Sequence, residues 1–185
     1  MITVHPATAD RFEDLAVILA PQSSGSQACW CLSYRIPNQE FRTLAGARRP
    51  ARLRRYAEEG TPPGVIAYVD GEPAGWCSVS PRASHHRLVH SRTIPAVDDQ
   101  PVWSVVCFVV RPAFRRRGLA RHLLDGAVGY ARSQGVPVLE AYPADPGAGA
   151  SVQPSPSLAP QVCLNPPALS ASPPQRPNPA GRRAG

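Results

Sequence analysis

Along residues 1–145 apolar positions recur first with a helical period, then alternate, then run unbroken, and each change predicts an element. ITVHPA reads as a short strand. Thr8 or Asp10 then caps a helix whose Phe12, Leu15, Ala16 and Leu19 share one face before Pro21 stops it. Residues 50–60 form a second helical stretch, with Leu53, Tyr56 and Ala57 inward and Gly60 as its stop. In GVIAYVDGEPAGWCSVSPR the period becomes two. Strands at 65–69 and 74–80 flank Asp70-Gly71, a dipeptide that favours a tight hairpin turn.

A polar connection leads to VWSVVCFVV at 102–110, apolar on both faces as a buried central strand requires. A helix from about Gly118 to Ser133 follows. It aligns Leu119, Leu123, Ala127 and Ala131 beside Ala120, Leu124 and Val128. Gly135 ends it and VPVLEAY begins another strand. The order strand, helix, strand implies a right-handed crossover between parallel strands. The fold class predicted is α/β (α+β): a mixed sheet in which an antiparallel hairpin precedes a parallel strand-helix-strand unit.

Composition changes abruptly at residue 146. From there to residue 185 the chain has no acid, aromatic, histidine or lysine, its apolar residues follow no period, and its prolines forbid helix or central strand. Two regions are therefore expected, a folded domain over 1–145 and a disordered Pro/Ala/Ser-rich tail over 146–185.

The net charge of +7 is carried entirely by arginine, because the sequence has no lysine, and it suits anionic partners. Asp10, Glu13 and Asp14 interrupt any signal-peptide core, and no run approaches the ~18 apolar residues of a membrane span. A cytoplasmic protein is expected. Five cysteines, an odd number, then read as reduced thiols with no structural disulfide.

The charge concentrates where the central strand hands over to the helix, in CFVVRPAFRRRGLARHLL. A helix N-terminus leaves N–H groups unpaired and carries about half a positive charge, so it binds phosphate where a ligand can come close. Gly118 permits that approach, Ala120 keeps the second turn slim, and Arg115, Arg116 and Arg117 add charge. The dinucleotide fingerprint fails for want of glycines, and the Walker pattern for want of a lysine.

The pattern Arg/Gln-x-x-Gly-x-Gly/Ala directly after a strand is present as Arg115-Arg116-Arg117-Gly118-Leu119-Ala120, and it resembles the acetyl-CoA motif of the GNAT N-acetyltransferase superfamily. The order of elements over residues 1 to about 145 resembles that family too. The resemblance implies that backbone N–H groups from Arg116 to Ala120 hold the CoA pyrophosphate. It implies that the backbone of Phe108, Val109 and Val110 pairs with the pantetheine arm. Acetyl-CoA is then the acyl donor, an amine of a small molecule or peptide is the acceptor, and no metal, nucleic acid or membrane is involved.

Acyl transfer needs a neutral amine, an oxyanion donor and a proton source for the thiolate. Alternation along VPVLEAY puts Glu140 and Tyr142 on one face. Glu140 reads either as a base, directly or through water, or as a salt-bridging strand residue; Tyr142 reads either as a reacting phenol or as packing. Cys107 reads as an inert buried thiol. Cys29-Trp30-Cys31, with His85, His86 or His90, matches no standard zinc spacing and reads as packing around Trp30. The resemblance also implies a further helix and strand after Tyr142, the helix commonly bearing a tyrosine acid. The proline-rich tail stands in their place, which predicts a reading-frame shift near residue 146 and impaired transfer. A CoA-binding module without turnover is the alternative; nucleic-acid binding lacks interleaved aromatics.

Overall fold

The protein is described by a computed structural model over residues 1–21 and 28–142. Among these, five strands make one mixed sheet: β1 (Ile2–Pro6), β2 (Gly64–Val69), β3 (Glu72–Pro81), β4 (Val102–Val110) and β5 (Val138–Ala141), hydrogen-bonded in that order. The first four are antiparallel and β5 runs parallel to β4. The helices are α1 (Phe12–Leu19), α2 (Asn38–Thr43), α3 (Arg48–Glu58), α4 (His86–Val89) and α5 (Leu119–Ser133). The mixed sheet, the hairpin and the parallel β4-α5-β5 unit are those expected from the sequence. The tail expected over 146–185 lies outside the described residues.

Two apolar layers cover the sheet. On one face α5 buries Leu119, Leu123, Ala127, Tyr130 and Ala131 against Val65, Cys77, Val79, Trp103 and Val105. On the other, α1, α3 and the segment 28–36 bring Phe12, Leu15, Trp30, Leu32, Ile36 and Leu53 onto Ile66 and Trp76. The alternation in β2 and β3 supplies both faces at once, because successive side chains point to opposite sides.

The hairpin turn has positive φ at both Asp70 (51°) and Gly71 (84°), which matches the right-handed twist of its strands. At the start of α1 the expected cap is not made: Thr8 makes no side-chain cap, and its Oγ1 instead accepts a hydrogen bond from Arg11 at 2.8 Å. α2 and α4 were not foreseen.

α5 crosses β1 so closely that a Cβ at Gly126 would stand 2.3 Å from Cγ1 of Val4. Alanine gains about 1 kcal/mol over glycine in a helix interior, whereas forcing a methyl into a packed contact costs ~1–3 kcal/mol. Gly126→Ala is therefore expected to destabilise the protein despite the better propensity. Urea unfolding should show a lower midpoint at unchanged slope.

Candidate active site

β4 outlasts its parallel partner. The two strands are in register from Val102↔Val138 to Val105↔Ala141, and β4 continues to Val110 with no further partner on that edge among the described residues. On its other edge β4 advances from Val105 to Cys107 while β3 moves from Val79 to Ser78, so Val106 is a bulged residue. Bulge and fork coincide. Trp103, Ser104 and Val105 are buried, whereas Val106 to Val110 are only half-buried. Of the residues assigned to the pantetheine strand, Phe108 and Val110 pack toward α5 and Val109 toward the α1 face.

The turn after β4 gathers backbone N–H groups and cations. Arg116 and Gly118 both take positive φ, 61° and 71°, with Arg115 extended before them. This alternation turns successive N–H groups inward as a nest. Among the described residues nothing accepts from the backbone N–H groups of Arg116, Arg117, Gly118, Leu119 or Ala120. Arg115 holds the turn by donating from Nε to the Val110 carbonyl at 3.1 Å. Arg116 and Arg117 are exposed, and no described acid pairs with any of the three arginines.

Glu140 and Tyr142 do lie together, one residue before and one after the last β5 pairing. Arg82, which follows β3, donates from Nη1 to Glu140 Oε1 at 2.8 Å and to the Tyr142 hydroxyl. Its Nη2 donates to the carbonyls of Leu88 (3.2 Å) and Ile94 (2.7 Å). Ser104 Oγ also donates to Glu140 Oε1. Burial opposes the charge on Glu140, but the bonds from Ser104, Tyr142 and Arg82 outweigh it and hold the carboxyl below its ordinary value. Tyr142 is pushed up to about 12 by burial and by the Glu140 carboxylate, so it is a neutral phenol at neutral pH.

Behind this pair is a polar interior that the sequence reading missed. Arg35, nine-tenths buried, donates from Nη2 to the Pro63 carbonyl (2.8 Å) and to Ser80 Oγ (3.0 Å), with no described carboxylate beside it. Burial lowers its pKa to about 10, which leaves it charged. His85 is fully buried against Ser80 Oγ at 3.1 Å, and burial followed by the Arg35 charge lowers it to about 3. The available signal was Ser78, Ser80 and Ser104, polar residues at alternate positions of otherwise apolar strands.

The thiols are packed rather than set for metal. Trp30 stacks on Phe12 with centroids 6.4 Å apart, and Trp76 Nε1 donates to Cys31 Sγ at 3.1 Å. Those contacts sustain the left-handed backbone of Trp30 and Cys31, both at φ 50°. The four described cysteines are free thiols, and a hydrogen bond with Cys31, followed by burial, raises Cys107 well above its ordinary value. Among the described residues no cluster of three or more His, Cys, Asp or Glu is placed to hold a metal, and no helix is long and apolar enough to cross a membrane.

A bulged central strand thus runs past the described end of its parallel neighbour into a positive-φ turn at the start of α5. Residues 31–150 match the acetyltransferase (GNAT) family, and the chain belongs to that family. No curated protein matches it. Among solved structures it is similar to aminoglycoside N-acetyltransferase AAC(6')-Iy in complex with CoA, at 17% identity over 79% of this chain and 78% of that one, TM-score 0.48. It is also similar to an aminoglycoside acetyltransferase from an uncultured soil metagenomic sample in complex with sisomicin (8% identity, 78% of each chain, TM-score 0.48). A third is ribosomal-protein-alanine N-acetyltransferase from Brucella melitensis biovar Abortus 2308 (19% identity, 76% and 79% of the chains, TM-score 0.42). At these values the likeness is one of chain path alone.

Proposed function

We propose that the protein is an N-acetyltransferase that takes acetyl-CoA as donor and passes the acetyl group to an amine of a small molecule or peptide. One observation carries this reading: past its last described β5 pairing at Val105, β4 runs on to Val110 and leads through residues 111–115 to N–H groups of Arg116 to Ala120 that have no acceptor among the described residues. An extended acyl carrier ending in a pyrophosphate suits that continuous edge. Arg116 and Arg117 draw in its charge, and the free N–H groups receive the phosphate oxygens.

At the fork the amine attacks the thioester carbonyl, and the N–H groups of the splayed strand are the donors in reach of the oxyanion. The leaving thiolate needs a proton. We assign it to Tyr142, which stands past the last described β5 pairing and remains protonated at neutral pH; the proton that the attacking nitrogen loses on forming the amide restores the phenol. Glu140, held below its ordinary pKa and committed to Arg82, is weak as a base at neutral pH and serves as the hydrogen-bond partner that orients the phenol. An acid within residues 1–142 makes transfer independent of the helix that the family resemblance would place after Tyr142.

The test is a steady-state assay of acetyl-CoA against a panel of primary amines, with thiol release and acetylated product measured together. Amine-dependent release with matching product is expected. CoA binding without product from any amine would support the non-catalytic reading instead, and absence of CoA binding would remove both.

A further inference from the structure

β5 pairs with β4 over four residues; Glu140 lies within that ladder and Tyr142 one residue past it, where the described pairing stops. Glu140 is held in the ladder opposite Ser104, whereas Tyr142 lies one residue past the last described pairing, and pairing alone does not fix where either side chain points. Something else must set where these side chains stand.

We infer that Arg82 is a positioning residue for acetyl transfer: its guanidinium ties the segment 82–94 to the end of β5 and fixes Glu140 and Tyr142 at the fork. This rests on the reading that Glu140 and Tyr142 serve the transfer. The geometry needs arginine. Nη1 spans Glu140 and Tyr142 while Nη2 spans two carbonyls, one at the end of α4 and one in the loop beyond it. A planar guanidinium presents donors in a rigid fork toward four acceptors, whereas a lysine ammonium is a point with three donors. The Arg82 and Glu140 side chains are 11% and 21% exposed, so solvent screens the pair weakly.

Arg82 also sets charge. The groups that face Glu140 are Arg82 from the turn after β3, Ser104 from β4 and Tyr142 from just past the end of β5; His85 behind them is neutral. Without Arg82, burial is opposed only by Ser104 and Tyr142, and the Glu140 pKa rises. A protonated Glu140 no longer accepts from the Tyr142 hydroxyl as a carboxylate does. The acid side of the rate profile therefore moves to higher pH.

The experiment compares wild type, Arg82→Met and Arg82→Lys by steady-state kinetics across pH, and follows the Glu140 carboxyl by 13C NMR of glutamate-labelled protein. Arg82→Met is expected to lose on the order of 100-fold in kcat, as misplacement of reacting groups does, with KM for acetyl-CoA little changed. Its activity should fall on acidification where wild type is flat, and its Glu140 should titrate higher. Arg82→Lys, which keeps the charge and loses the fork, should keep the wild-type pH profile but still lose kcat. If Arg82→Met does not fold, Arg82→Lys decides by its kcat. Unchanged kcat in both variants, or an unmoved Glu140 titration in Arg82→Met, would overturn the inference. A wild type that transfers nothing would sink the assignment of Glu140 and Tyr142 to transfer, and the NMR titration would still decide whether Arg82 controls Glu140.

Discussion

Replacing Tyr142 by phenylalanine is expected to lower kcat by roughly 100- to 10,000-fold, the range a positioned proton donor contributes, with KM for acetyl-CoA near the wild-type value. The substitution removes one hydroxyl. It leaves the ring, the β5 register and the cradle in place, so binding contacts common to ground state and transition state survive. Glu140 keeps its bonds from Arg82 and Ser104 and has no reason to become unpaired. Because the Tyr142 pKa is about 12, the phenol is protonated through the neutral range, and wild-type activity should show no loss from its ionisation there. Steady-state kinetics with a thermal melt as control checks this. A kcat within a few-fold of wild type would place the acid elsewhere.

Gly118→Val is expected to abolish stabilisation by acetyl-CoA. The φ of 71° at this position is left-handed, where a side chain costs roughly 1–2 kcal/mol. A Cβ there meets no protein atom within 4 Å, so the chain tolerates the substitution sterically. The added branches project into the open space beside the N–H groups, where a phosphate must sit. At ~100 times its dissociation constant, a ligand that binds only the folded state adds about 2.7 kcal/mol. Melting each protein with and without acetyl-CoA cancels the intrinsic strain. Wild type should shift and Gly118→Val should not; equal shifts would take the cradle out of the account.

The parts of this fold legible in the sequence are those whose cause is local. VWSVVCFVV announces β4 to the residue because it is apolar on both faces and bounded by Pro101 and Arg111-Pro112. Asp70-Gly71 announces its turn because the conformation demands positive φ. The cradle was legible because the strand, the arginines and Gly118 are contiguous. What stayed hidden depends on distant partners. α2 buries no side chain of its own, and the carbonyls of Leu44, Ala28 and Phe41 near it are gathered by Arg49. Arg82 reads as part of a polar connection, yet its partner Glu140 lies 58 residues further on. Alternation placed Glu140 and Tyr142 on one face, but only tertiary structure shows the cation that divides their roles. Thr8 looked like a helix cap, and Arg11 claims its oxygen instead.

The central claim is that one continuous edge, from the fork at Val106 to the first turn of α5, receives the acyl carrier. Amide hydrogen exchange with and without saturating acetyl-CoA measures that edge directly. The account predicts slowed exchange within Val106 to Val110, at the N–H groups that point away from β3, and at Arg116 to Ala120 in the cradle. Binding that leaves both segments unprotected, with slowing confined to other parts of the sheet or helices, would contradict it.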